Sequence, residues 1–293
     1  MPFNYQPAAF SSARRETTGP DFTGHGLPLN AWIENRDDLN DELSILTIRL
    51  NNWALPVFEP GQYADIALQM RTTDSPLSLS SLPLQHAEQT RRSYSIASSP
   101  LRLDRIELLI NLVPRGRFTP SLWRLDEGDR LHVEPRVRGR FTLAGVPRDA
   151  TILLVASGTG IAPYMAMLRH YTGTGRWRKL VLMHSVRYVE DLAYREELEA
   201  LSRRDASLIY LPTVTRKREG VRWDGLEERV QLLLEPERLE QLAGTYPDPA
   251  QGTHLFLCGN PEMITSVRAR YEELGFTLHR PNTPGTLHME SYW

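Results

Sequence analysis

Apolar positions recur along this chain with two different rhythms, and the rhythm changes near Pro147. Between about Ala31 and Leu143 the runs are short. ELSILTIRL (42–50) places apolar side chains at every second position, which gives a strand one dry face and one wet face. FEPGQYADIALQM (58–70) repeats the pattern after a Pro-Gly turn, and IELLINLV (106–113) is a more buried strand closed by Pro-Arg-Gly. LWRLDEGDRLHVEP (122–135) reads as a short helical piece, an Asp-Glu-Gly turn and another strand. Several strands at this spacing with little helix predict a small antiparallel β-barrel or sandwich. TTDSPLSLSSLPLQHAEQT (72–90) interrupts them as a long Ser-, Pro- and Leu-rich loop, of a length that is functional or disordered.

Beyond Pro147 strands alternate with helices. TILLVASGTGIAPYMAMLRHY (151–171) is an apolar strand, a glycine turn and a helix. KLVLMHSVR (179–187) is a second strand, followed by the helical EDLAYREELEALSRR, and SLIYLPTVTR (207–216) is a third, with GLEERVQLLLE after it. HLFLCGNPEMITSVRARYEELG (254–275) repeats strand, turn and helix. This order predicts a parallel sheet covered on both faces. The domains expected are a flexible extension over 1–30, a β-barrel over 31–146 and an α/β domain over 147–293, with the boundary in AGVPRDA.

Composition narrows the picture. A length of 293 residues accommodates two ordinary domains. A formal charge of −2 argues against a nucleic-acid binder, and no apolar run approaches the ~18 residues of a membrane span. The first residues lack the apolar core of a secretory signal, so a cytoplasmic protein is expected. One cysteine, Cys258, allows neither an internal disulfide nor a cluster of the chain's own, which takes four thiolates. Between residues 91 and 150 twelve Arg oppose seven Asp plus Glu. That excess either steers an acidic partner or is a solvated surface.

Candidate chemistry lies at strand ends. SGTGIAP (157–163) points unpaired backbone N–H groups and a helix dipole at one spot, which suits an anion and equally suits a tight turn with no ligand. CGNPEM (258–263) occupies the equivalent place on a later strand, and ligands of open parallel sheets bind beyond such ends. Cys258 there is either a small core residue or a soft wall beside a ring. Arg187 and Arg216 each follow a strand, as surface ion pairs or as a shared phosphate site. RRSYSIASSP (91–100) is either an edge strand or a surface for a flat anionic ligand. The terminal HMESYW is either a packed anchor or an aromatic lid.

RSYS (92–95), GRFT (116–119), GTGIAPY (158–164), SVR (185–187), TR (215–216), CGNPEM (258–263) and ESYW (290–293) together resemble the ferredoxin/flavodoxin–NADP+ reductase family, bacterial type. The likeness runs over roughly residues 31–293 in the family's order. It implies an FAD-binding β-barrel followed by an NADP(H)-binding α/β domain. By that resemblance Arg92, Ser93, Tyr94 and Ser95 hold FAD, with Arg92 on the pyrophosphate, Tyr94 against the flavin and Ser95 near its N5. Leu109, Ile110, Asn111 and Leu112 give backbone contacts, and Gly116, Arg117, Phe118 and Thr119 line the pyrophosphate. Gly158, Thr159 and Gly160 meet NADP(H), with Thr159 at its junction with the flavin. Arg187 and Arg216 grip the 2′-phosphate, Val186, Thr215, Gly259, Pro261 and Met263 also bind NADP(H), and Cys258 and Glu290 flank the nicotinamide. Ser95, Cys258, Glu290 and Tyr292 are the implied catalytic set, with Tyr292 stacked on the flavin and Trp293 over the adenine.

The implied activity exchanges hydride between NADP(H) and FAD, and electrons with ferredoxin or flavodoxin, in a monomer. A free-flavin reductase or the reductase component of an oxygenase system is the alternative. A non-enzymatic regulator is disfavoured because Arg92, Tyr94, Ser95 and Cys258 are all present. One departure concerns the phosphate: the family's second Arg after the Gly of GLEERV is Leu226 here, with Arg218 or Arg222 as substitutes.

Overall fold

The structure, a computed structural model, describes residues 27–69 and 89–291. Its first sheet contains β1 (Ala31–Asn40), β2 (Leu43–Leu50), β3 (Tyr63–Gln69), β4 (Gln89–Ser95), β5 (Arg105–Asn111) and β6 (Arg130–Arg138), with the short helix α1 (Thr119–Trp123) before β6. The strand order is β4-β3-β6-β1-β2-β5, and every pairing is antiparallel. The end strands do not pair as a ladder, but the Ala97 N–H, just past β4, donates to the Glu107 carbonyl of β5 at 2.8 Å. The sheet therefore curls round as a barrel, as its alternating pattern predicts, without a continuous closing ladder among the described residues. In β2 the alternation is literal, and Leu46, Ile48 and Leu50 enter a core with Ile33, Ile66 and Ile106.

The second sheet joins β7 (Thr151–Ser157), β8 (Lys179–Val186), β9 (Leu208–Val214), β10 (Thr253–Gly259) and β11 (Leu287–Ser291) in the order β11-β10-β7-β8-β9, all parallel. Helices α2 (Ala162–Tyr171), α3 (Arg195–Arg204), α4 (Val230–Leu233), α5 (Pro236–Ala243) and α6 (Pro261–Glu273) accompany it. Successive side chains of β7 feed opposite layers. Ile152 and Leu154 pack with Tyr164 and Leu168 of α2, while Leu153 and Val155 pack with Val267 and Tyr271 of α6. Each such aliphatic side chain contributes about 1.5–3 kcal/mol through burial, which is why β7 and β10 carry almost no wet position.

The first of those layers does not stop at the domain boundary. Leu43, Ala97 and Leu109 from the antiparallel sheet and Phe141 from the connection join Phe256 and Cys258 in it. One apolar seam thus welds the two sheets together.

Several local expectations need correction. The chain is already anchored before β1, within the segment expected to be a flexible extension: the Asn30 side chain exchanges two 2.8 Å hydrogen bonds with the Val133 backbone. GLEERVQLLLE does not continue into one helix, because Leu226 first forms a parallel bridge to Thr213 and the helix starts only at Val230. The 72–90 loop lies outside the described residues, save Gln89 and Thr90, which open β4.

Candidate active site at the seam of the two sheets

The parallel sheet contributes its C-terminal edge. After Ser157 the chain turns through Gly158, at φ +53°, into a single 3-10 turn and then α2. Below the turn, wholly buried His184 places Nε2 3.0 Å from the Gly158 carbonyl oxygen. Burial pushes this imidazole down to about 4, so at neutral pH it is uncharged and donates from Nε2 to that carbonyl. Gly160 lies against the Cys258 backbone, where a Cβ would run into the Cys258 carbonyl. Only glycine lets the turn approach β10 this closely.

At the end of β10 the chain bends through Gly259, at φ +123°. The Asn260 N–H donates to Ser157 Oγ at 2.8 Å, and the Asn260 side chain caps α6 by accepting from the Glu262 and Met263 N–H groups. Cys258 is buried, in no disulfide, and in register with Ala156 of β7 and Glu290 of β11.

The antiparallel sheet contributes β4 and the ends of β5. The pleat sends Arg92 and Tyr94 to one side of β4 and Ser93 and Ser95 to the other. Arg92 is exposed. Tyr94 is half-buried, its ring 6.1 Å from Phe118, and burial raises its phenol above the usual range. The Ser93 hydroxyl is committed to Asp65, at 2.6 Å, and Arg138 holds the other oxygen of that carboxylate. Ser95, only 6% exposed, donates to Glu290 Oε1 at 3.1 Å across the seam. Burial raises the Glu290 carboxyl above its ordinary range, with the Ser95 hydrogen bond opposing the shift.

Beyond β5 a turn is held by Gly116 N–H on the Val113 carbonyl and by Thr119 Oγ1 on the Val113 N–H. It exposes Arg117 and buries Phe118. Ile110 points into the barrel core and Leu109 into the seam, while the Leu112 N–H is bonded to Glu42. Asn111 reaches a large cleft.

That cleft, about 990 Å³, opens over the strand ends between the two sheets. Asn40–Leu43 and Asn111 line one side; Ser157, Gly158, Thr159, Val186, Arg187, Thr215, Arg216 and Met263 line the other. Arg187 and Arg216 are exposed, joined by the Arg216 N–H to the Arg187 carbonyl at 2.8 Å, and neither has a carboxylate partner among the described residues. Leu226 instead packs against the sheet and gives its carbonyl to Val214 and Trp223. Of the substitutes read from the sequence, Arg218 is paired with Glu190 and stacked 4.1 Å over Tyr188, and Arg222 is paired with Asp224. The sequence reading missed Arg229, an exposed arginine on the cleft wall with no ion pair among the described residues. Its signal was its position three residues after Leu226. Tyr292 and Trp293 lie outside the described residues.

Comparison with known proteins agrees with this geometry. The oxidoreductase NAD-binding domain family matches residues 154–269. The flavodoxin/ferredoxin–NADP reductase of Escherichia coli K12 is 32% identical over 207 residues, 70% of this chain and 82% of that protein. Ferredoxin–NADP reductase B of Sorangium cellulosum is 36% identical over 214 residues, 72% of this chain and 78% of its own length. Among solved structures, a ferredoxin NADP+ reductase from Neisseria gonorrhoeae, with bound FAD and NADP, superposes with a TM-score of 0.75 at 23% identity, covering 90% of this chain and 98% of that one. The chain belongs to the flavodoxin/ferredoxin–NADP reductase family.

Proposed function

We infer that the protein is an FAD-dependent ferredoxin (or flavodoxin)–NADP+ reductase, exchanging hydride with NADP(H) and single electrons with a small redox protein. The observation that carries this reading is the Ser95–Glu290 hydrogen bond, which joins the RSYS strand across the seam to the residue in register with Cys258.

The residues present fit both nucleotides. Arg187, Arg216 and Arg229 offer three cations at one cleft that make no ion pair among the described residues, an arrangement that suits a ligand with a 2′-phosphate. Arg92 and Arg117, on β4 and on the turn after β5, suit a pyrophosphate, and Tyr94 on Phe118 forms a half-buried aromatic platform. FAD, when bound, supplies the conversion between two-electron and one-electron transfer.

The chain's own residues do the rest. Gly158–Gly160 bring backbone N–H groups to the ligand, and Thr159 faces the cleft between them. Cys258 forms an apolar wall that keeps water from the reacting centre. Ser95 Oγ and the half-buried Glu290 carboxyl hold a proton at that centre and pass it towards solvent, a task helped by the raised Glu290 pKa. Tyr292 is assigned to the ring face that nicotinamide must occupy, and Trp293 to the adenine.

Exposed Val57 and Leu101, at 86% and 75%, and the arginine excess of residues 91–150 suit a weak, electrostatically steered contact with an acidic redox partner. No helix among the described residues is long and apolar enough to cross a membrane, and a monomeric cytoplasmic enzyme is the reading adopted. Stopped-flow reduction of the holoprotein by NADPH and NADH, then reoxidation by ferredoxin, flavodoxin or free FMN, tests all of this. Rapid reduction by NADPH with fast reoxidation by a redox protein is expected. A protein that purifies without flavin absorbance sinks it.

A further inference from the structure

Arg169 lies in the last turn of α2, the helix that starts at the glycine turn, and does not line the cleft. Its guanidinium spends nearly all of its donors on three separate parts of the chain. Nε and Nη2 fork onto the two oxygens of Glu197 in α3, both at 2.7 Å. Nη1 crosses the seam to Glu107 Oε1 of β5 at 2.7 Å and to the Ala97 carbonyl at 3.1 Å. The side chain is 20% exposed and its Cζ sits 5.1 Å from the Tyr194 ring. Tyr194 holds a left-handed φ of +61°, a conformation unfavourable for a residue with a side chain.

The cross-seam half of this network forms a closed loop. The Ala97 N–H donates to the Glu107 carbonyl, while the Glu107 carboxylate and the Ala97 carbonyl both accept from Arg169. Ala97 stands two residues after Ser95, at the gap where the antiparallel sheet fails to close as a ladder. Other polar contacts across the seam among the described residues tie fewer elements together: Ser95 to Glu290 at 3.1 Å, Ser99 to His170 at 3.4 Å, Tyr171 to Glu59 at 3.2 Å, and Asn40 to Asp191 at 3.0 Å and to the Glu190 carbonyl at 3.4 Å. Among the described residues Arg169 alone joins the continuation of the Ser95 strand, β5 and the helix of the glycine turn. α2 is buried from Ala162 to Leu168 and follows directly on the turn Gly158–Ile161, and close packing of this kind transmits strain along the helix from Arg169 to the turn.

Resting on the function inferred above, we propose that Arg169 is a positioning residue that sets the spacing between Ser95 and the glycine turn, and so the approach of the two nucleotides. Transfer between bound partners is sensitive to misplacement by about 1 Å, whereas binding through the cleft arginines is not. Arg169 therefore governs the rate of hydride transfer more than nucleotide affinity.

Three holoprotein variants test this. Arg169→Met is expected to lower the limiting rate of flavin reduction by NADPH about tenfold, with NADP+ affinity and the bound flavin spectrum nearly unchanged. Glu107→Gln, which removes only the cross-seam charge, reproduces a fall of about threefold or more, whereas Glu197→Gln, which removes the partner inside the α/β domain, changes the rate less than about twofold. Amide exchange at residues 157–161 reads the same clasp without any flavin chemistry. It is expected to rise in Arg169→Met and Glu107→Gln but not in Glu197→Gln. Equal effects of Glu107→Gln and Glu197→Gln, in rate or in exchange, or a Glu107→Gln protein indistinguishable from wild type, overturn the proposal. A wild-type protein that NADPH does not reduce overturns the functional reading, while the exchange experiment still decides the clasp.

Discussion

The two sheets hold their candidate ligand residues in opposite ways. In the antiparallel sheet one face of each strand is wet, so the strand itself can offer side chains: Arg92 and Tyr94 stand on β4 within its regular pairing with β3. In the parallel sheet both faces are buried, and β7 and β10 are apolar almost throughout. Along these two strands only the C-terminal ends come near the site, Ser157 at the cleft and Cys258 beside the glycine turn, so most contacts come from the turns beyond them, through glycine geometry and residues just past the last pair. One half of the site is thus a side-chain site and the other a backbone site, and substitutions should fail differently in each.

The largest effect expected is on the side-chain half. Ser95→Ala removes the hydroxyl that bonds Glu290 and should slow flavin reduction by NADPH about hundredfold while flavin remains bound. Rapid-mixing absorbance measures it, and a rate within twofold of wild type would remove Ser95 from the chemistry.

The backbone half should lose stability instead. Gly160→Ala pushes a methyl into the Cys258 carbonyl, and overpacking of this kind costs about 1–3 kcal/mol. Urea denaturation of the holoprotein reports it, together with weakened NADPH binding.

Acid should single out the same half. His184 is buried and uncharged, its pKa lowered by burial from 6.5 to about 4, so the unfolded chain binds the proton more readily. The stability this group confers is complete above pH 6.5 and is lost as pH falls through the window down to about 4. At about 1.4 kcal/mol per pH unit, moving from pH 7 to pH 5 should cost wild type about 2 kcal/mol more than His184→Gln. Denaturant midpoints at the two pH values check the difference. His254 and His288, also lowered by burial, are present in both proteins and shift both in the same direction.

The smallest effects should come from the cleft arginines. Arg216→Ala is expected to raise KM for NADPH about tenfold and Arg229→Ala about threefold, with NADH kinetics unaffected. Steady-state kinetics with both nucleotides separates a phosphate contact from a general loss of charge.

The same contrast explains what could be read from the chain. β7 and β10 declare themselves because burial on both faces leaves continuous apolar runs, and β2 because one wet face leaves alternation. The glycine turn was legible as a strand-to-helix turn and RSYS as a strand, while their ligand roles came only from the ordered set of motifs that carries the family resemblance. β11 was not: Leu287, His288, Met289, Glu290 and Ser291 have no strand rhythm, and become a strand because β10 offers an open edge beside them. The polar second half of β1 is likewise held by pairing with β2, across two register shifts. Arg229 was hidden because its place depends on how Leu226 bridges to Thr213, and Arg169 because its partners are scattered from residue 97 to residue 197.

The late position of β11 bears on how the protein is made. Until the chain past Thr286 has emerged from the ribosome, β10 is an uncovered edge, an apolar strand with its hydrogen-bonding groups open to any neighbouring nascent chain. Over that interval the Glu290 carboxyl that meets Ser95 is not yet in place, so a barrel already folded on the ribosome waits with its side of the candidate site incomplete. Translation that stalls before Glu290 would leave a product prone to self-association and lacking the Ser95–Glu290 contact.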